Sequence, residues 1–220
     1  MEIRNLWRMY DPEGTNEVSF LDIKRLFTEP PKLLQYSNIQ MTNESVKMIT
    51  PYKIADLITF QLNKLFVKRY KRNISKLVDA TASVGGNTIS FARHFNQVIA
   101  IEIKEKTFQM LNDNLQIYAL SNVITKNIDF IDYIDHIPID TDVVFIDPPW
   151  FTESLVGSWY NKKINNNLSL SGISIETIKN KLLDRYNVFV VIKAPKYFKP
   201  ESEPTYKFLY KKMDILVYTA

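Results

Sequence analysis

The feature of this chain that most constrains its fold is a regular alternation of short apolar and longer amphipathic segments between residues 76 and 195. Segments such as "QVIAIEI" and "DVVFID" have the length and composition of buried strands. "KEKTFQMLNDNLQIYAL" and "SIETIKNKLLDRY" carry apolar residues at helical spacing. Strands and helices that alternate in this way form a mostly parallel sheet with helices on both faces, so we predict an α/β fold.

The rest of the chain extends this pattern to both sides. "KLVDATA", "NVITKN" and "NVFVVIKA" are predicted strands, "NTISFARHF" a helix, and "YKFLYKKMDILVYTA" two strands with a tight connection. "TPYKIADLITFQLNKLFVKRY" has a Thr-Pro helix start, whereas "KKINNNLSLSG" is predicted to be a loop. Residues 1–48 are polar and are broken by "EPP". We predict an N-terminal helical arm over 1–48 and one domain over 49–220.

Composition narrows the function classes. The 220 residues include no cysteine and two histidines, His94 and His136. This argues against a thiol nucleophile and a structural zinc site, and we predict no metal. No apolar stretch approaches membrane length, so we predict a soluble protein of the nucleus or cytoplasm. The net charge of +4 and the pI of about 9.0 suit a polyanionic partner. The Ile-, Lys- and Asn-rich composition is typical of AT-rich genomes, so a cellular source and a large DNA virus in an infected host cell both stay open.

Three predicted strand ends carry a ligand-binding pattern, and ligands of such sheets bind at the carboxyl ends of strands. "VDATASVGGNTISFA" holds two of the five glycines of the chain, Gly85 and Gly86, which allow close backbone approach or positive φ. Glu102 follows the second strand and is placed to accept hydrogen bonds from ribose hydroxyls. Asp129, in "NIDFID", is placed to bond an adenine amino group, with Phe130 against the ring.

Each of these strand ends alone is also typical of an ordinary turn or a solvated loop acid. Together they predict a nucleoside ligand, and the dinucleotide fingerprint G-x-G-x-x-G is absent, which argues against NAD and a nicotinamide oxidoreductase. S-adenosylmethionine is a nucleoside ligand that needs no phosphate-binding glycine pattern. It is the predicted cofactor.

The fourth strand end, "DPPW", predicts a clamp for a flat base that bears an exocyclic amine. Asp147 and the carbonyl of Pro148 can accept hydrogen bonds from the amine, and the fixed φ of Pro148 and Pro149 aims that carbonyl in advance. Trp150 offers a face on which the base can stack. These four residues are the candidate catalytic residues. The alternative is an ordinary Asp-Pro-Pro turn with Trp150 covering the sheet edge.

These motifs resemble those of the trimethylguanosine synthase family, class I S-adenosylmethionine-dependent methyltransferases that methylate the guanine amine of the N7-methylguanosine RNA cap. "ITPYKIADLI" is similar to the family's Thr-Pro-x-Lys-Ile-Ala helix, and "VDATASVGGNTISFA" to its Val-Gly-Gly-Asn-Thr-Ile turn. "DPPW" stands where the family has Ser-Pro-Pro-Trp. The resemblance implies a Rossmann-like fold with a mostly parallel seven-stranded sheet flanked by helices. It also implies guanine-N2 methylation of N7-methylguanosine-capped RNA.

The resemblance further implies a role for individual residues. Trp150 would stack on the cap guanine, whose positive charge adds a cation–π attraction of about 1–2 kcal/mol. Lys24 and Lys196 would hold cap phosphates. The candidate cofactor-binding residues are Thr50, Asp79, Ala80, Thr81, Gly85, Gly86, Asn87, Thr88, Glu102, Ile103, Asp129 and Phe130. Asp79 and the glycine turn would hold the methionine part, Glu102 the ribose and Asp129 the adenine.

Two departures from the family pattern keep alternatives open. Asp147 replaces the family serine, and an acid at this position is commoner in adenine-N6 methyltransferases. The family's Gly-Gly after the tryptophan is missing from "WFTESLVGSWY", where Trp159 or Tyr160 could add a second stacking face or could simply pack. A catalytically silent cap- or RNA-binding subunit is an alternative from another class. The basic segment "KLFVKRYKR" could track RNA, although a solvated helix end is the favoured interpretation.

Overall fold

The computed structural model describes residues 20–31, 33–150 and 167–219. The strands of its main sheet are β1 (Lys76–Asp79), β2 (Gln97–Ile101), β3 (Val123–Lys126), β4 (Val143–Ile146), β7 (Phe189–Pro195), β8 (Tyr206–Leu209) and β9 (Met213–Thr219). They form one seven-stranded sheet in the order β3-β2-β1-β4-β7-β9-β8. β9 is antiparallel to both of its neighbours, and the other pairs are parallel. Two short strands, β5 (Ser169–Leu170) and β6 (Ile173–Ser174), form a separate hairpin.

The helices of the described residues connect these strands and cover both faces of the sheet. They are α1 (Phe20–Leu26), α2 (Asn43–Met48), α3 (Tyr52–Tyr70), α4 (Gly86–Ala92), α5 (Glu105–Ile117), α6 (Phe130–Tyr133) and α7 (Ile175–Arg185). Short 3-10 helices occupy Leu33–Asn38 and Ile134–His136. None of the helices in the described ranges is long and apolar enough to cross a membrane.

The central strands are buried on both faces, which explains their unbroken apolar runs. In β4 all four residues are buried. Val143 and Phe145 pack with α3 and α4, whereas Val144 and Ile146 pack with α7 on the opposite face. Because side chains alternate along a strand, each strand contributes to both layers. The predicted α/β fold with a mostly parallel sheet is confirmed.

Residues of the predicted arm pack against the rest of the chain. Ile23 of α1 and Phe27, directly after this helix, share a core cluster with Val84 and Leu111. Asn114 of α5 accepts a hydrogen bond from the Gln40 backbone N–H at 2.8 Å and donates to the Gln40 and Val84 carbonyls, each at 2.9 Å. Residues 20–48 therefore buttress the loop that follows β1. The domain boundary at residue 48 stays a prediction, and residues 1–19 lie outside the described ranges.

The predicted loop "KKINNNLSLSG" is wrong in its described part, where the β5–β6 hairpin begins. Two-residue strands are too short to show a hydrophobic period, so the pattern could not reveal them.

The basic segment "KLFVKRYKR" ends α3 at the amino edge of the sheet. There Arg72 binds Asp142 through two hydrogen bonds of 3.0 and 2.6 Å. This contact favours the helix-end interpretation of the segment, because it gives Arg72 a structural role.

Candidate active site

Four charged side chains converge at the carboxyl ends of β1, β2, β4 and β7. Asp79 is the last residue of β1, and Glu102 and Asp147 each follow a strand directly. Lys193 lies near the end of β7. Ile146 pairs with Ile192, so the next residues, Asp147 and Lys193, leave the β4–β7 pair side by side on one face. Side-chain alternation from Leu77 places Asp79 on the same face. The sheet thus gathers three carboxylates and one ammonium at its switch point.

Asp79 is fully buried. Its Oδ2 accepts a hydrogen bond from Thr88 Oγ1 at 2.7 Å, and its Oδ1 accepts a longer one from the Thr81 backbone N–H at 3.4 Å. Burial raises the pKa of Asp79 to about 7, and the negative charges of Asp147 and Glu102 act in the same direction. A carboxylate held in this way is a strong site for a cationic group.

Glu102 is held by backbone donors. Its Oε2 accepts from the Ser83 N–H at 3.0 Å and its Oε1 from the Lys104 N–H at 2.8 Å. Burial raises the pKa of Glu102, while these two N–H groups lower it. Because Ser83 belongs to the loop after β1, Glu102 joins that loop to the end of β2.

Asp129 caps α6, accepting a hydrogen bond from the Ile131 N–H at 2.9 Å. Its other oxygen accepts a hydrogen bond from the Ser171 hydroxyl in the β5–β6 turn. The hairpin is therefore anchored at the carboxyl end of β3, next to the nucleoside positions that the sequence predicts.

The glycine turn after β1 is closed on one side by the residues before α3. Gly85 adopts a φ of 101°, which L side chains rarely reach. A Cβ at Gly86 would lie 2.4 Å from Ile49 Cγ1 and 3.4 Å from the Thr50 carbonyl oxygen. Thr50 Oγ1 and Asn87 Oδ1 are buried here and have no hydrogen-bond partner among the residues that the structure describes. Buried polar atoms are normally paired, so both atoms point to a ligand that would complete them.

Gly86→Ala is expected to lower the free energy of unfolding by about 1–3 kcal/mol, the usual cost of overpacking. The new methyl group would clash with Ile49. Urea unfolding of Gly86→Ala, Ile49→Ala and the combined variant measures this. Since Ile49→Ala removes the clashing atoms, the combined variant should lose less than the sum of the single losses. Strict additivity would show that the close approach of Ile49 does not set the need for glycine.

The turn after β4 places an acid, two prolines and an indole beside these loops. The Asp147 N–H donates to Thr81 Oγ1 at 2.8 Å, which ties the turn to the loop after β1. Asp147 Oδ2 lies 2.6 Å from Lys193 Nζ. Pro148 is buried, and Pro149 is exposed. Trp150 is half-buried, and its Nε1–H donates to the Lys193 carbonyl at 3.4 Å. The four predicted residues therefore form one braced turn.

Other predicted site residues occupy different environments. Ala80 is buried beside Asp79, and Ile103 is 57% exposed after β2. Phe130 is buried in the core cluster under α7. Lys24 lies on α1 rather than at a strand end, with its ammonium 6.0 Å from the Tyr36 ring centroid. Lys196 is exposed directly after β7. Trp159 and Tyr160 lie outside the described residues.

Lys193 is the site residue that sequence reasoning missed. Its ammonium lies 5.0 Å from the Trp150 ring centroid and carries the counter-charge for Asp147. One signal for it was present, since "FVVIKAP" puts a lysine in an otherwise apolar strand. A charge in a strand buried on both faces needs a charged partner.

Comparisons with known proteins agree with this geometry. The profile of the RNA cap guanine-N2 methyltransferase family matches residues 74–190, just over half of the chain. An uncharacterized protein of Acanthamoeba polyphaga mimivirus is 32% identical over 89% of this chain and 84% of its own length. The predicted family, enzyme class and cofactor are thereby confirmed.

Solved structures share the fold at low sequence identity. An RNA methyltransferase of Salinibacter ruber, in complex with S-adenosyl-L-homocysteine, superposes with a TM-score of 0.52 at 14% identity, over 77% of this chain and 92% of that one. A hypothetical protein of Thermus thermophilus gives 0.54 at 13%, over 78% and 87%. The strand ends that gather Asp79, Glu102 and Asp147 thus belong to a member of the RNA cap guanine-N2 methyltransferase family, an S-adenosylmethionine-dependent methyltransferase.

Proposed function

We propose that this enzyme transfers a methyl group to the exocyclic amine of guanine in an N7-methylguanosine RNA cap. The single observation that carries the proposal is the braced Asp147–Trp150 turn, which Thr81 ties to the loop bearing Asp79. The Asp147 acceptor and the half-buried Trp150 indole thereby belong to a turn that is tied to the loop after Asp79, the buried carboxylate proposed to bind the cofactor.

The residues at the ends of β1 and β2 fit S-adenosylmethionine by their chemistry. Asp79 and Glu102 offer buried carboxylate oxygens, which suit an ammonium group and ribose hydroxyls. Asn87 Oδ1 and Thr50 Oγ1, which accept or donate no hydrogen bond within the described ranges, offer two further polar atoms beside the glycine turn. We assign Asp79, Asn87 and the glycine turn to the methionine part and Glu102 to the ribose. The Asp129 carboxylate would accept a hydrogen bond from the adenine amino group, either in place of the hydrogen bond from the Ser171 hydroxyl or in addition to it.

The turn after β4 would orient the amine for reaction. S-adenosylmethionine, when bound, supplies a methyl group on a positively charged sulfur. The sulfur is a good leaving group, because it becomes a neutral thioether when it loses the methyl group. The amine lone pair of guanine is delocalised into the ring, so the site must direct it. Asp147 and the Pro148 carbonyl would accept the two N–H groups, and Trp150 would fix the plane of the base. Methyl transfer would form the N–C bond while the methyl–sulfur bond of the cofactor breaks, and the nitrogen would afterwards release one proton to solvent.

Adenine-N6 methylation is the second candidate, and Asp147 favours it. Methyl transfer from radiolabelled S-adenosylmethionine to three acceptors tests both: N7-methyl-GTP, GTP, and an uncapped oligomer that contains adenine. Label on N7-methyl-GTP alone supports the cap assignment. Label on the oligomer with a silent cap analogue would replace it by adenine methylation.

An exposed basic edge at the carboxyl end of β7 suits the RNA chain beyond the cap. Lys196 and Lys199 follow β7, and Lys211 and Lys212 form the β8–β9 turn. Pro195 pairs with Met213, so the two lysine pairs leave the sheet side by side. The negatively charged phosphates of RNA bind such a positively charged surface whatever the base sequence.

The combined variant Lys211→Gln/Lys212→Gln is expected to weaken binding of a capped oligomer while the KM for N7-methyl-GTP stays unchanged. The slope of log affinity against log salt should become shallower by about 0.7 for each phosphate that the variant no longer binds. Lys68→Gln/Lys71→Gln, at the far end of α3, removes equal charge from the amino edge and serves as the control. Equal losses for both variants would mean that net charge alone attracts the RNA.

A further inference from the structure

Lys193 contacts the proposed base clamp at both of its ends. Its side chain is 5% exposed, and its ammonium lies 2.6 Å from Asp147 Oδ2. The same ammonium sits over the Trp150 ring, 5.0 Å from the centroid. Its backbone carbonyl accepts the hydrogen bond from the Trp150 indole N–H. One residue therefore fixes both the acceptor and the stacking surface.

The charges around Asp147 show what the ammonium does there. Burial raises the pKa of Asp147, whereas Lys193 and the Asn87 side chain lower it. The other charged groups at this edge of the sheet are the Asp79 carboxylate at the end of β1 and the Glu102 carboxylate after β2, and both carry the same sign as Asp147. Without Lys193, Asp147 would face these carboxylates with no counter-charge. It would then take up a proton more readily and turn from an acceptor into a donor.

We propose that Lys193 is a positioning residue for methyl transfer: its ammonium holds Asp147 as a charged acceptor for the base amine and covers one face of Trp150. The base then stacks on the opposite face of the indole. This inference rests on the proposed function, since it takes a base amine as the group that Asp147 binds.

The ion pair also explains how a cationic base is tolerated beside a buried ammonium. Asp147 and Lys193 together are neutral, so an N7-methylguanine on the other face of Trp150 meets no uncompensated positive charge. Protonation of Asp147 removes that balance and at the same time removes the acceptor. Binding of the cationic base and orientation of its amine therefore fail together as the pH falls.

The first experiment reads the charge of Asp147 without any substrate. Carbon-13 NMR of labelled aspartate carboxyls gives the titration midpoint of Asp147 in the wild-type protein, Lys193→Met and Lys193→Arg, with Asp147→Asn to assign the signal. We expect the midpoint to rise by about one pH unit or more in Lys193→Met, the usual effect of losing an opposite charge at contact distance. Lys193→Arg should stay close to wild type. A midpoint unchanged in Lys193→Met would overturn the proposal.

The second experiment connects that charge to catalysis. In the pH profile of kcat/KM for a capped oligomer, the midpoint of the acid limb should shift to higher pH in Lys193→Met. The shift should equal that of the NMR midpoint of Asp147, and activity should be regained at alkaline pH. In an Asp147→Asn background the same lysine substitution should no longer move the limb, because no charge is left to hold. A merely structural lysine would lower activity at every pH and in both backgrounds.

The two experiments separate the failure of this inference from failure of the proposed function. If the wild-type enzyme methylates caps and the acid limb stays in place in Lys193→Met, the role of Lys193 is wrong and the function stands. If the NMR midpoint shifts but caps are not methylated, Lys193 holds Asp147 as proposed and the substrate assignment is wrong.

Discussion

Replacing Trp150 with alanine is expected to lower kcat/KM for methyl transfer about 100-fold while the Kd for S-adenosylmethionine stays within about twofold of wild type. Stacking of a base on an aromatic ring contributes about 1–3 kcal/mol, and loss of the stack also misplaces the amine. Trp150 contacts Lys193 and packs partly against two core clusters. The groups proposed for the cofactor lie instead at the ends of β1 and β2, so cofactor affinity should be spared.

Steady-state kinetics with N7-methyl-GTP and calorimetry with S-adenosylmethionine together test this separation. Trp150→Phe is the matched control, because it keeps a ring for stacking and loses only the hydrogen bond to the Lys193 carbonyl. It should retain much of the activity that alanine loses. If cofactor binding collapses with alanine, Trp150 is a packing residue and the clamp is wrong. Unfolding midpoints of both variants exclude global loss of the fold as the cause.

The sequence revealed the central strands because these strands are buried on both faces. For this reason β4 reads as an unbroken apolar run, and β7 as an apolar run with one lysine, Lys193. The β5–β6 hairpin was missed because strands of two residues carry no period. The strand order was equally hidden, since β4 pairs with β7 although the hairpin and α7 lie between them in the chain.

That hidden order explains which site residues could be predicted. Asp79, Glu102 and Asp147 stand at strand ends, where local sequence alone places them at one edge of a parallel sheet. Lys193 lies within its strand, and only the register of β4 against β7 brings it to Asp147. The Ser171 hydroxyl reaches Asp129 from a hairpin far along the chain. The site contacts that the sequence could not predict are therefore those between segments that lie far apart in the chain.

Replacing Asp79 with asparagine is expected to stabilise the protein at pH 8 and to weaken S-adenosylmethionine binding about 10- to 100-fold. Burial raises the pKa of this carboxyl to about 7 from an ordinary value of 3.8. Between these two pH values the folded protein holds a proton that the unfolded chain has lost. Stability therefore falls as the pH rises through this window, and it reaches its lower level above pH 7.

Three pKa units correspond to about 4 kcal/mol, of which the amide should recover only part. Asparagine presents one acceptor oxygen to Thr88 and Thr81 in place of two. We expect the thermal unfolding midpoint at pH 8 to rise by about 5 °C, and the dependence of stability on pH between 4 and 7 to flatten. The exposed Asp184, on α7, provides the control, since Asp184→Asn removes the same formal charge from the surface.

The two measurements on Asp79→Asn bear on one idea, that the fold carries a destabilising buried charge because a cationic ligand needs it. Higher stability together with weaker cofactor binding supports this trade. If stability rises while calorimetry shows unchanged affinity, the carboxylate is not the partner of the methionine part. If stability instead falls at pH 8, the hydrogen bonds from Thr88 and Thr81 outweigh the cost of the buried charge, and Asp79 is a structural anchor of the glycine turn.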